Sequence, residues 1–300
     1  MSLEGYSILI PTHNYNVTTL VQTLVSQTSK IDTKIEIIVY EDGSSLFLSE
    51  NASVENTANV TYIHKTKNIG RAGARQFLAE KAVFQWLLFL DADVMPVSEN
   101  FISTYIATLQ TENHKVICGG LAYEEEVPEN NKRLRWYYGR DREAVSLEKR
   151  NKRNYFIVSG NLLVEKNTFF AANTNFENQY GLDILFGSRL KKLNIPLLHI
   201  NNPVYHLGLD DNKTFLRKSL KAVESTLYFE QKGLIDDDQR ALQKSYLRLK
   251  QVGGTSIFNF MLKKLKPIME RNFLSGKPNL FWFDLYRLQY YIELKKKHNA

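Results

Sequence analysis

The sequence predicts an α/β fold with a mostly parallel sheet flanked by helices, followed by a helical C-terminal appendage. Two observations predict the sheet. Short β-rich runs alternate with helical patterns through the first half of the chain, and polar residues follow several of the apolar runs. The appendage is predicted by apolar residues at helical spacing from Thr214 onwards. With 300 residues, 43% of them hydrophobic, the chain can bury a large core.

The elements follow in order from hydrophobic periodicity. Strands are predicted at residues 6–11, 35–40 and 60–64 and in the runs WLLFLDADV and FIVSGNLLV, and helices at residues 17–26, 72–84 and 182–193. Residues 124–154 are rich in charge and aromatics with little apolar periodicity, which predicts a mobile segment or lid. Residues 214–250 are predicted to be helical throughout. The tail at 258–297 is expected to break at Pro267, Gly276 and Pro278.

Charge and composition narrow the class of protein. Lys and Arg total 39 against 32 Asp and Glu, a formal charge of +7 that suits phosphate ligands, nucleic acid or an anionic membrane. The positive charge is spread out and no nucleic-acid-binding module is present, so we expect no nucleic-acid partner. No secretory signal and no apolar run of about 20 residues occur, which predicts a cytoplasmic protein. Cys118, in the apolar run KVICGGLAY, is predicted to be a buried structural thiol.

The strongest chemical signal is the pair Asp91 and Asp93 at the end of the apolar run LLFLDADV. In an extended strand, side chains two residues apart point to the same side. Two such carboxylates can hold Mg²⁺ or Mn²⁺ together with a diphosphate, because these cations prefer oxygen ligands and take part of their shell from substrate phosphate. An Asp-X-Asp pattern alone also occurs in solvated loops, but burial beside an apolar strand favours the metal.

Three further polar clusters lie at predicted strand ends or at a helix start. Glu41 and Asp42 follow the run IEIIVY and can accept hydrogen bonds from a base or ribose, although Asp-Gly-Ser is also typical of a turn. The run IPTHN offers backbone and hydroxyl groups at the same edge. The run NIGRAGAR combines glycines and arginines at a helix start and favours phosphate, or is an ordinary helix start with surface charge.

The order SILIPTHN, IIVYEDGSS, NIGRAGARQFLAEKA and LLFLDADVMP resembles family 2 glycosyltransferases of the GT-A fold over about the first 100 residues. The resemblance implies a Rossmann-like domain in which Asp42 contacts the base and Asp91 and Asp93 hold ribose and metal-diphosphate. Glu41 departs from the family, which usually has Asp there. The residues implied to bind the nucleotide sugar are Pro11, Thr12, Asn14, Glu41, Asp42, Asn68, Arg71, Arg75, Asp91, Ala92 and Asp93.

The second half matches the family more loosely. The run FIVSGNLLVEKNTFF resembles the strand before the acceptor site, with Gly160 allowing close approach of a sugar. The run FENQYGLDILFGSRLKKLN is similar to the segment that carries the catalytic base. Asp183 takes that position, with Glu177 in reserve; the alternative is a helix N-terminal residue stabilised by the dipole. His206, after a short predicted strand, resembles a metal ligand, or is a structural histidine.

The function expected from this resemblance is inverting transfer of a hexosyl or N-acetylhexosaminyl group from a UDP-sugar, or another nucleotide sugar, to a saccharide or lipid-linked acceptor. Mn²⁺ or Mg²⁺ is the expected cofactor, and bacterial surface-polysaccharide synthesis the expected setting. The rivals are a degenerate nucleotide-sugar-binding protein and a sugar nucleotidyltransferase, whose glycine-rich signature does not follow Ile10. A P-loop hydrolase is excluded because the chain has no Gly-x4-Gly-Lys-Ser/Thr motif.

The predicted organisation is a catalytic domain at residues 1–212 and a helical extension at 213–300. Within the first, residues 1–120 form the nucleotide-sugar half and 121–212 the acceptor half. Trp136 is a candidate to stack on an acceptor sugar ring, or is ordinary packing. The basic, aromatic-rich tail is expected to pack on the main domain, with peripheral contact to an anionic membrane as the alternative.

Overall fold

The computed structural model describes residues 5–153, 155–173 and 180–299. The first apolar run, at residues 6–11, lies in the first strand, as predicted. Within the described residues the strands are β1 Tyr6–Thr12, β2 Ile35–Asp42, β3 Val60–Lys65, β4 Trp86–Leu90, β5 Val94–Pro96, β6 Val116–Cys118, β7 Leu121–Ala122, β8 Asn161–Glu165, β9 Leu198–His199 and β10 Val204–His206.

The helices connect these strands and make up most of the chain after residue 208. Their bounds, in chain order, are α1 Thr18–Thr28, α2 Leu48–Ala52, α3 Gly70–Lys81, α4 Phe101–Thr111, α5 Arg133–Tyr138, α6 Leu147–Asn151, α7 Lys166–Ala172, α8 Leu182–Lys192, α9 Asn212–Gln231, α10 Ala241–Gln251, α11 Thr255–Phe273 and α12 Leu280–Asn299.

The main sheet has the strand order β3-β2-β1-β4-β8-β6-β9. The first four neighbours pair in parallel, while β8 runs antiparallel to both β4 and β6. A small second sheet has the order β5-β10-β7. Strand order reverses where β4 follows β1, so the carboxyl ends of β1, β2 and β4 meet at one edge, which is where ligands gather in such sheets.

Both faces of the main sheet are buried, which explains the unbroken apolar runs in its strands. Ile8 and Ile10 of β1 belong to one hydrophobic core, and Leu9 between them belongs to the other. Strand β4 alternates in the same way, with Leu88 in the first core and Phe89 in the second. The strand period of two therefore distributes apolar side chains to two layers of helices.

The chain divides into two compact units. The sheet unit comprises Met1–Tyr123, Ala144–Asn178 and Phe186–Gly208, over their described residues. The helical unit comprises Glu124–Glu143, Gln179–Leu185 and Leu209–Ala300, again where described. The helical unit thus includes two segments that lie before residue 212 in the sequence. It has its own core, which includes Leu134, Phe273 and Phe283.

Three expectations about local structure differ from the observed elements. Residues 124–154 contain α5 and α6 joined through a π-helical turn at Gly139–Glu143, and Leu134 is fully buried, so this segment has an anchor that its weak periodicity hid. Residues 214–250 are interrupted between α9 and α10. Helix α11 continues through Pro267, where a break was expected, whereas the expected break at Gly276 and Pro278 lies between α11 and α12.

Two other expectations can be compared directly with the structure. Cys118 is fully buried in β6, as predicted for a structural thiol. Among the helices that the structure describes, none combines the length and the apolar composition that crossing a membrane requires.

Candidate active site

A cavity of about 300 Å³ lies at the carboxyl ends of β1, β2 and β4 and the start of α3. These are the elements that carry the polar motifs found in the sequence. The edge of a parallel sheet thus brings together side chains as distant in sequence as Pro11 and Asp93. The cavity is lined by Pro11, Thr12, His13, Tyr15, Asp42, Asn68, Gly70, Arg71, Ala74, Asp91, Ala92 and Asp93.

Asp42 is fixed at the first turn of α3. Its two carboxylate oxygens accept hydrogen bonds from the backbone N–H of Ile69 at 2.7 Å and of Gly70 at 2.9 Å. These donors are among the amides that a helix start leaves without intrahelical partners, and the helix dipole favours a negative charge there. The side chain of Asn68 also donates to the Asp42 carbonyl at 2.7 Å. The Asp42 carboxylate is therefore held in one orientation at the cavity wall.

Asn14 joins the loop after β1 to the loop after β2. It adopts a left-handed backbone conformation (φ 53°), and its backbone N–H donates to the Ser44 hydroxyl at 2.7 Å. Its side-chain oxygen accepts from the backbone N–H of Ser45 at 2.8 Å and of Leu46 at 3.1 Å. Asn14 is not among the residues that line the cavity, so the structure gives it a role in positioning the rim.

Glu41 is fully buried and also lies outside the cavity lining. Its carboxylate accepts hydrogen bonds from Ser44, from Asn51 at 2.9 Å and from Tyr62 at 3.3 Å. Burial and this neighbouring carboxylate raise the pKa of Tyr62 to about 12. The structure therefore places Glu41 as a support for the loop after β2, in contrast to the direct nucleotide contact expected from its motif.

Asp91 is held by two arginines from α3. Arg71 donates to one carboxylate oxygen, and Arg75 Nη2 lies 2.6 Å from the other. Burial alone would raise the pKa of the Asp91 carboxyl, but Arg71 and Arg75 lower it below its usual value. The two arginine side chains differ in exposure, 57% for Arg71 and 10% for Arg75. Arg75 is thus a buried partner of Asp91, while Arg71 also faces the cavity.

Gly160 lies against the Asp91 carboxylate. A Cβ at position 160 would lie 2.8 Å from Asp91 Oδ2, closer than real Cβ contacts. The backbone N–H of Asp91 donates to the Gly160 carbonyl at 3.3 Å. The structure thus gives Gly160 a local reason to be glycine that does not involve an acceptor sugar.

Asp93 faces His206 across the small second sheet. Strand β10 pairs antiparallel with β5 and sets His206 opposite Val94. His206 Nε2 lies 3.5 Å from Asp93 Oδ2, and the His206 ring stacks on Tyr123 with 5.5 Å between centroids. Burial raises the pKa of the Asp93 carboxyl, with His206 opposing this shift and Asp91 adding to it. Any Cβ at Gly208 would overlap the Asp93 carboxylate.

The donor set fits a divalent cation that receives further ligands from a substrate. Ligands about 2.1 Å from an octahedral cation lie about 3 Å apart, near the observed separation of Asp93 Oδ2 and His206 Nε2. No group of three or more His, Cys, Asp or Glu side chains placed to hold a metal occurs among residues 5–153, 155–173 and 180–299. Two protein ligands, Asp93 and His206, would leave most of an octahedral shell for other oxygens, such as those of a diphosphate.

The remaining candidates lie in the helical unit or outside the described residues. Asp183 is in the first turn of α8. Glu177 lies outside the described residues. Trp136 is only 6% exposed; its indole N–H donates to the Glu124 carbonyl at 3.0 Å, and the Arg140 guanidinium lies 4.8 Å from its ring centroid. Little of the Trp136 ring is therefore exposed for a sugar to stack on.

Several cavity residues were not identified from the sequence. His13 lines the cavity, and its Nδ1 lies 2.9 Å from the Asp42 carbonyl oxygen. Tyr15 also lines it, and burial together with the charge of Asp93 raises the pKa of the Tyr15 hydroxyl. Both lie within three residues of Thr12, at the end of β1, and this closeness in sequence could have identified them as cavity residues. The glycine that accommodates Asp93, Gly208, has no comparable signal because it depends on a long-range contact.

The sequence model of "Glycosyl transferase family 2" matches residues 7–176, more than half of the chain. The chain belongs to glycosyl transferase family 2. It is accordingly a glycosyltransferase, and the match covers every strand end that borders the cavity. A search of curated protein sequences finds no significant match.

Solved structures with the same fold are distant glycosyltransferases. A mannosyl-3-phosphoglycerate synthase from Rubrobacter xylanophilus has a TM-score of 0.57 at 12% identity, over 79% of this chain and 77% of that one. The mannosyltransferase PcManGT from Pyrobaculum calidifontis, in complex with GDP-Man and Mn²⁺, has a TM-score of 0.55 at 10% identity, over 74% of this chain. The present chain spans 64% of the length of PcManGT.

A third structure extends the likeness along nearly the whole chain. S. aureus TarS 1–349, in complex with UDP-GlcNAc, has a TM-score of 0.51 at 14% identity, over 98% of this chain and 92% of that one. The GT-A fold expected from the sequence motifs is confirmed by these neighbours. At such low identities they establish the fold, and substrates have to be argued from the site.

Proposed function

We propose that this family 2 glycosyltransferase transfers a hexosyl or N-acetylhexosaminyl group from a nucleoside diphosphate sugar, with UDP favoured, to a saccharide or lipid-linked hydroxyl. The observation that carries the proposal is the cavity in which Asp42, Arg71, Asp91 and Asp93 lie together at the carboxyl edge of the sheet. A base and a ribose need hydrogen-bond acceptors, which Asp42 and Asp91 supply. A diphosphate needs positive charge, which Arg71 and a cation held by Asp93 would supply.

The proposed roles follow from what each side chain contacts. Asp42, whose oxygens are oriented by the backbone amides of α3, accepts hydrogen bonds from the base. Asp91, held by Arg75, faces the ribose. Arg71, exposed on one side and paired with Asp91 on the other, reaches a diphosphate oxygen. Contacts within the chain thus hold Asp42 and Asp91 before a donor binds, which lowers the cost of ordering the site.

A divalent cation, Mn²⁺ or Mg²⁺, fits between Asp93 and His206 once phosphate oxygens complete its shell. Bound there, the cation would neutralise negative charge on a departing nucleoside diphosphate. The structure of PcManGT contains GDP-Man and Mn²⁺, and that of TarS 1–349 contains UDP-GlcNAc, which supports this proposal. The imidazole ligand favours Mn²⁺ over Mg²⁺.

The proposed reaction is a single displacement. The acceptor oxygen forms a bond to the anomeric carbon as the bond from that carbon to the diphosphate oxygen breaks, and the acceptor proton passes to the base. We propose Asp183 as the base, because the segment FENQYGLDILFGSRL resembles the family segment that carries this group. One displacement inverts the configuration of the sugar. Bacterial surface-polysaccharide synthesis is the setting we propose.

Incubation with UDP- and GDP-sugars and a panel of saccharide and lipid-linked acceptors tests this proposal. The expected product has an anomeric configuration opposite to that of the donor, read from proton NMR coupling constants. Asp183→Asn should abolish transfer while leaving UDP binding unchanged. Transfer near the wild-type rate in Asp183→Asn would reject the base assignment, and a retained configuration would reject the single displacement. Binding of a nucleotide sugar without transfer to any acceptor would favour the degenerate binding protein.

A further inference from the structure

Helix α11 has two apolar faces, and only one of them is packed. Leu262, Met269 and Phe273 are buried in the core of the helical unit. These residues recur at intervals of four and seven, so they lie on one side of the helix. A surface helix needs only this one apolar stripe to attach to its unit. Any second apolar stripe on the same helix requires another explanation.

The second stripe consists of five large apolar residues at positions i, i+3, i+4, i+8 and i+11. This spacing places them on a single helix face, turned away from the buried side. We call this the α11 stripe: Ile257, Phe260, Met261, Leu265 and Ile268, which are 68%, 62%, 58%, 42% and 52% exposed. Single exposed apolar residues are ordinary, but five aligned along three turns form a patch that marks an interaction surface.

Positive charge accompanies the α11 stripe. The Lys264 ammonium lies 4.4 Å from the Phe260 ring centroid, so this lysine is on the stripe face. Lys263 and Arg271 are also exposed on the same helix. The only acidic residue of α11 is Glu270, which accepts a hydrogen bond from the Tyr286 hydroxyl at 2.6 Å and is directed to the packed side. The stripe face thus carries cations and no carboxylate.

We propose that the α11 stripe lies in the headgroup region of an anionic lipid bilayer, with Lys263, Lys264 and Arg271 contacting lipid phosphates. An amphipathic helix with aromatic and aliphatic side chains on one face and basic residues beside them binds membranes in this way. Long basic side chains can reach the headgroups while their carbon stems rest on apolar surface. The proposal concerns only the helical unit and does not depend on the donor or the reaction.

A second copy of the chain is a poorer occupant for the same face. The α11 stripe is centred near residue 262, so two copies paired through it, in either direction, would bring Lys264 close to its own counterpart. Like charges facing each other across an apolar interface are unfavourable, and no acidic side chain of the stripe face compensates them. An anionic surface complements the same charges.

The first experiment is flotation of the full-length protein with vesicles of phosphatidylcholine alone or mixed with phosphatidylglycerol. We expect co-flotation with the mixed vesicles and much less with phosphatidylcholine. The double variant Phe260→Ser, Met261→Ser should lower the partition coefficient by about tenfold or more, since burial of the apolar face contributes to binding. The matched control Val83→Ser, Val127→Ser alters residues that are 72% and 49% exposed elsewhere and should bind as wild type does.

A second pair of variants tests the electrostatic part. Lys263→Gln, Lys264→Gln should weaken binding to the mixed vesicles by about fivefold for each lysine and should flatten its salt dependence. Lys30→Gln, Lys34→Gln removes the same charge from exposed residues outside α11 and should change binding little. Equal loss in both pairs would mean that net charge alone attracts the protein, and would overturn the role of α11.

Two further measurements keep the outcomes distinct. Circular dichroism and UDP titration should be unchanged in the α11 variants, so that a failure of the donor proposal leaves this test intact. Sedimentation velocity should give the same monomeric mass for wild type and Phe260→Ser, Met261→Ser. Absence of vesicle binding by the wild type would overturn the proposal. So would a wild-type dimer that this variant dissociates, because the stripe would then be occupied by a second copy.

Discussion

The sheet unit and the helical unit differ in the kind of surface proposed to bind a ligand. In the sheet unit, strand ends place polar groups at one edge, and the carboxylates there have hydrogen-bond or ion-pair partners. Asp42, for example, accepts from two backbone amides. In the helical unit, the notable surface is a row of apolar side chains on α11 that the unit's own core does not use. The first kind of site is encoded in short motifs, and the second in the periodicity of one helix.

The same contrast exists on a smaller scale within the sheet unit, between Asp91 and Asp93. The two residues belong to one motif, but Asp91 is paired with Arg71 and Arg75, whereas Asp93 faces His206. The pKa of Asp91 is lowered and that of Asp93 is raised. This difference indicates that Asp91 stabilises the fold, while Asp93 holds its charge at a cost that a cation would relieve.

The largest expected effect is a difference in the free energy of unfolding between variants of these two carboxylates. Asp91→Asn should lower the free energy of unfolding by about 3 kcal/mol, because it removes one charge of the buried Asp91–Arg75 ion pair. Asp93→Asn should leave the free energy of unfolding unchanged or slightly higher, because a carboxyl whose pKa is raised by folding destabilises the protein above its unfolded pKa. Urea denaturation at neutral pH measures both, and equal losses would remove the distinction.

A second variant tests whether Asp93 depends on the space above Gly208. Gly208→Ala would overlap the Asp93 carboxylate and move it away from His206. Metal-dependent nucleotide affinity should fall about 100-fold. The control is Gly73→Ala, whose Cβ would meet only the Ile69 side chain at 3.3 Å. Titration calorimetry with UDP and Mn²⁺ compares the two, and similar affinities would mean that Asp93 can bind the metal from another position.

Acid stability should differ between the units. Burial and the nearby Arg150 lower the pKa of His199 in the sheet unit to about 4, so the unfolded chain binds more protons below pH 6.5. The neutral His199 side chain lowers the free energy of unfolding only below pH 6.5, the pKa of His199 in the unfolded chain. By pH 5 the loss in the free energy of unfolding is about 2 kcal/mol. In the helical unit the pKa of Glu230 is lowered by Lys295, Tyr291 and Gln243 against burial, so its contribution is lost only at more acidic pH.

The test of this difference is His199→Asn, whose side-chain oxygen can still accept from Arg150, as His199 Nδ1 does at 3.2 Å. Between pH 7.5 and pH 5, the free energy of unfolding of the variant should fall by about 2 kcal/mol less than that of the wild type, as measured by urea denaturation. The exposed control His64→Asn should follow the wild type. An unchanged pH dependence in His199→Asn would show that another group governs acid stability.

The smallest expected effect concerns Arg71, the exposed member of the arginine pair. Arg71→Ala should weaken UDP binding about tenfold and UMP binding less, because the proposed contact is with the diphosphate. Stability should change little, because exposed ion pairs contribute at most about 1 kcal/mol. Lys67→Ala, which removes one exposed charge nearby, is the control. Equal losses for UDP and UMP in calorimetry would exclude the diphosphate contact.

The sequence predicted strands β1 to β4, the strand β8 within a longer run, and a helix at residues 72–84 where α3 spans Gly70–Lys81, because each depends on local periodicity. The short strands β6, β7 and β9 were not predicted, since two or three residues give no period. The sequence also placed most cavity residues at one edge, since parallel strands end on the same side. The pairing of Arg71 and Arg75 with Asp91 was not predicted, because charge complementarity between distant segments leaves no local pattern. The sequence alone therefore could not separate the buried Arg75 from the exposed Arg71, for which a diphosphate contact is proposed.

The errors in the second half have physical reasons as well. The buried Leu134 anchors a segment that looked mobile because its apolar residues are too few to give a helical period. Pro267 lies within α11, where packing of Leu262 and Met269 on either side outweighs the loss of one backbone hydrogen bond. Tertiary contacts, which the local sequence pattern does not show, therefore determine the structure at Leu134 and at Pro267.

The most direct test of the account is calorimetric titration of UDP and GDP into the wild-type protein and into Asp93→Ala, with and without Mn²⁺. We expect one nucleotide to bind the wild type in a Mn²⁺-dependent manner, and Asp93→Ala to lose this dependence. Binding that is independent of Mn²⁺, or equal in Asp93→Ala, would contradict the assignment of the cavity as a metal-assisted nucleotide-sugar site.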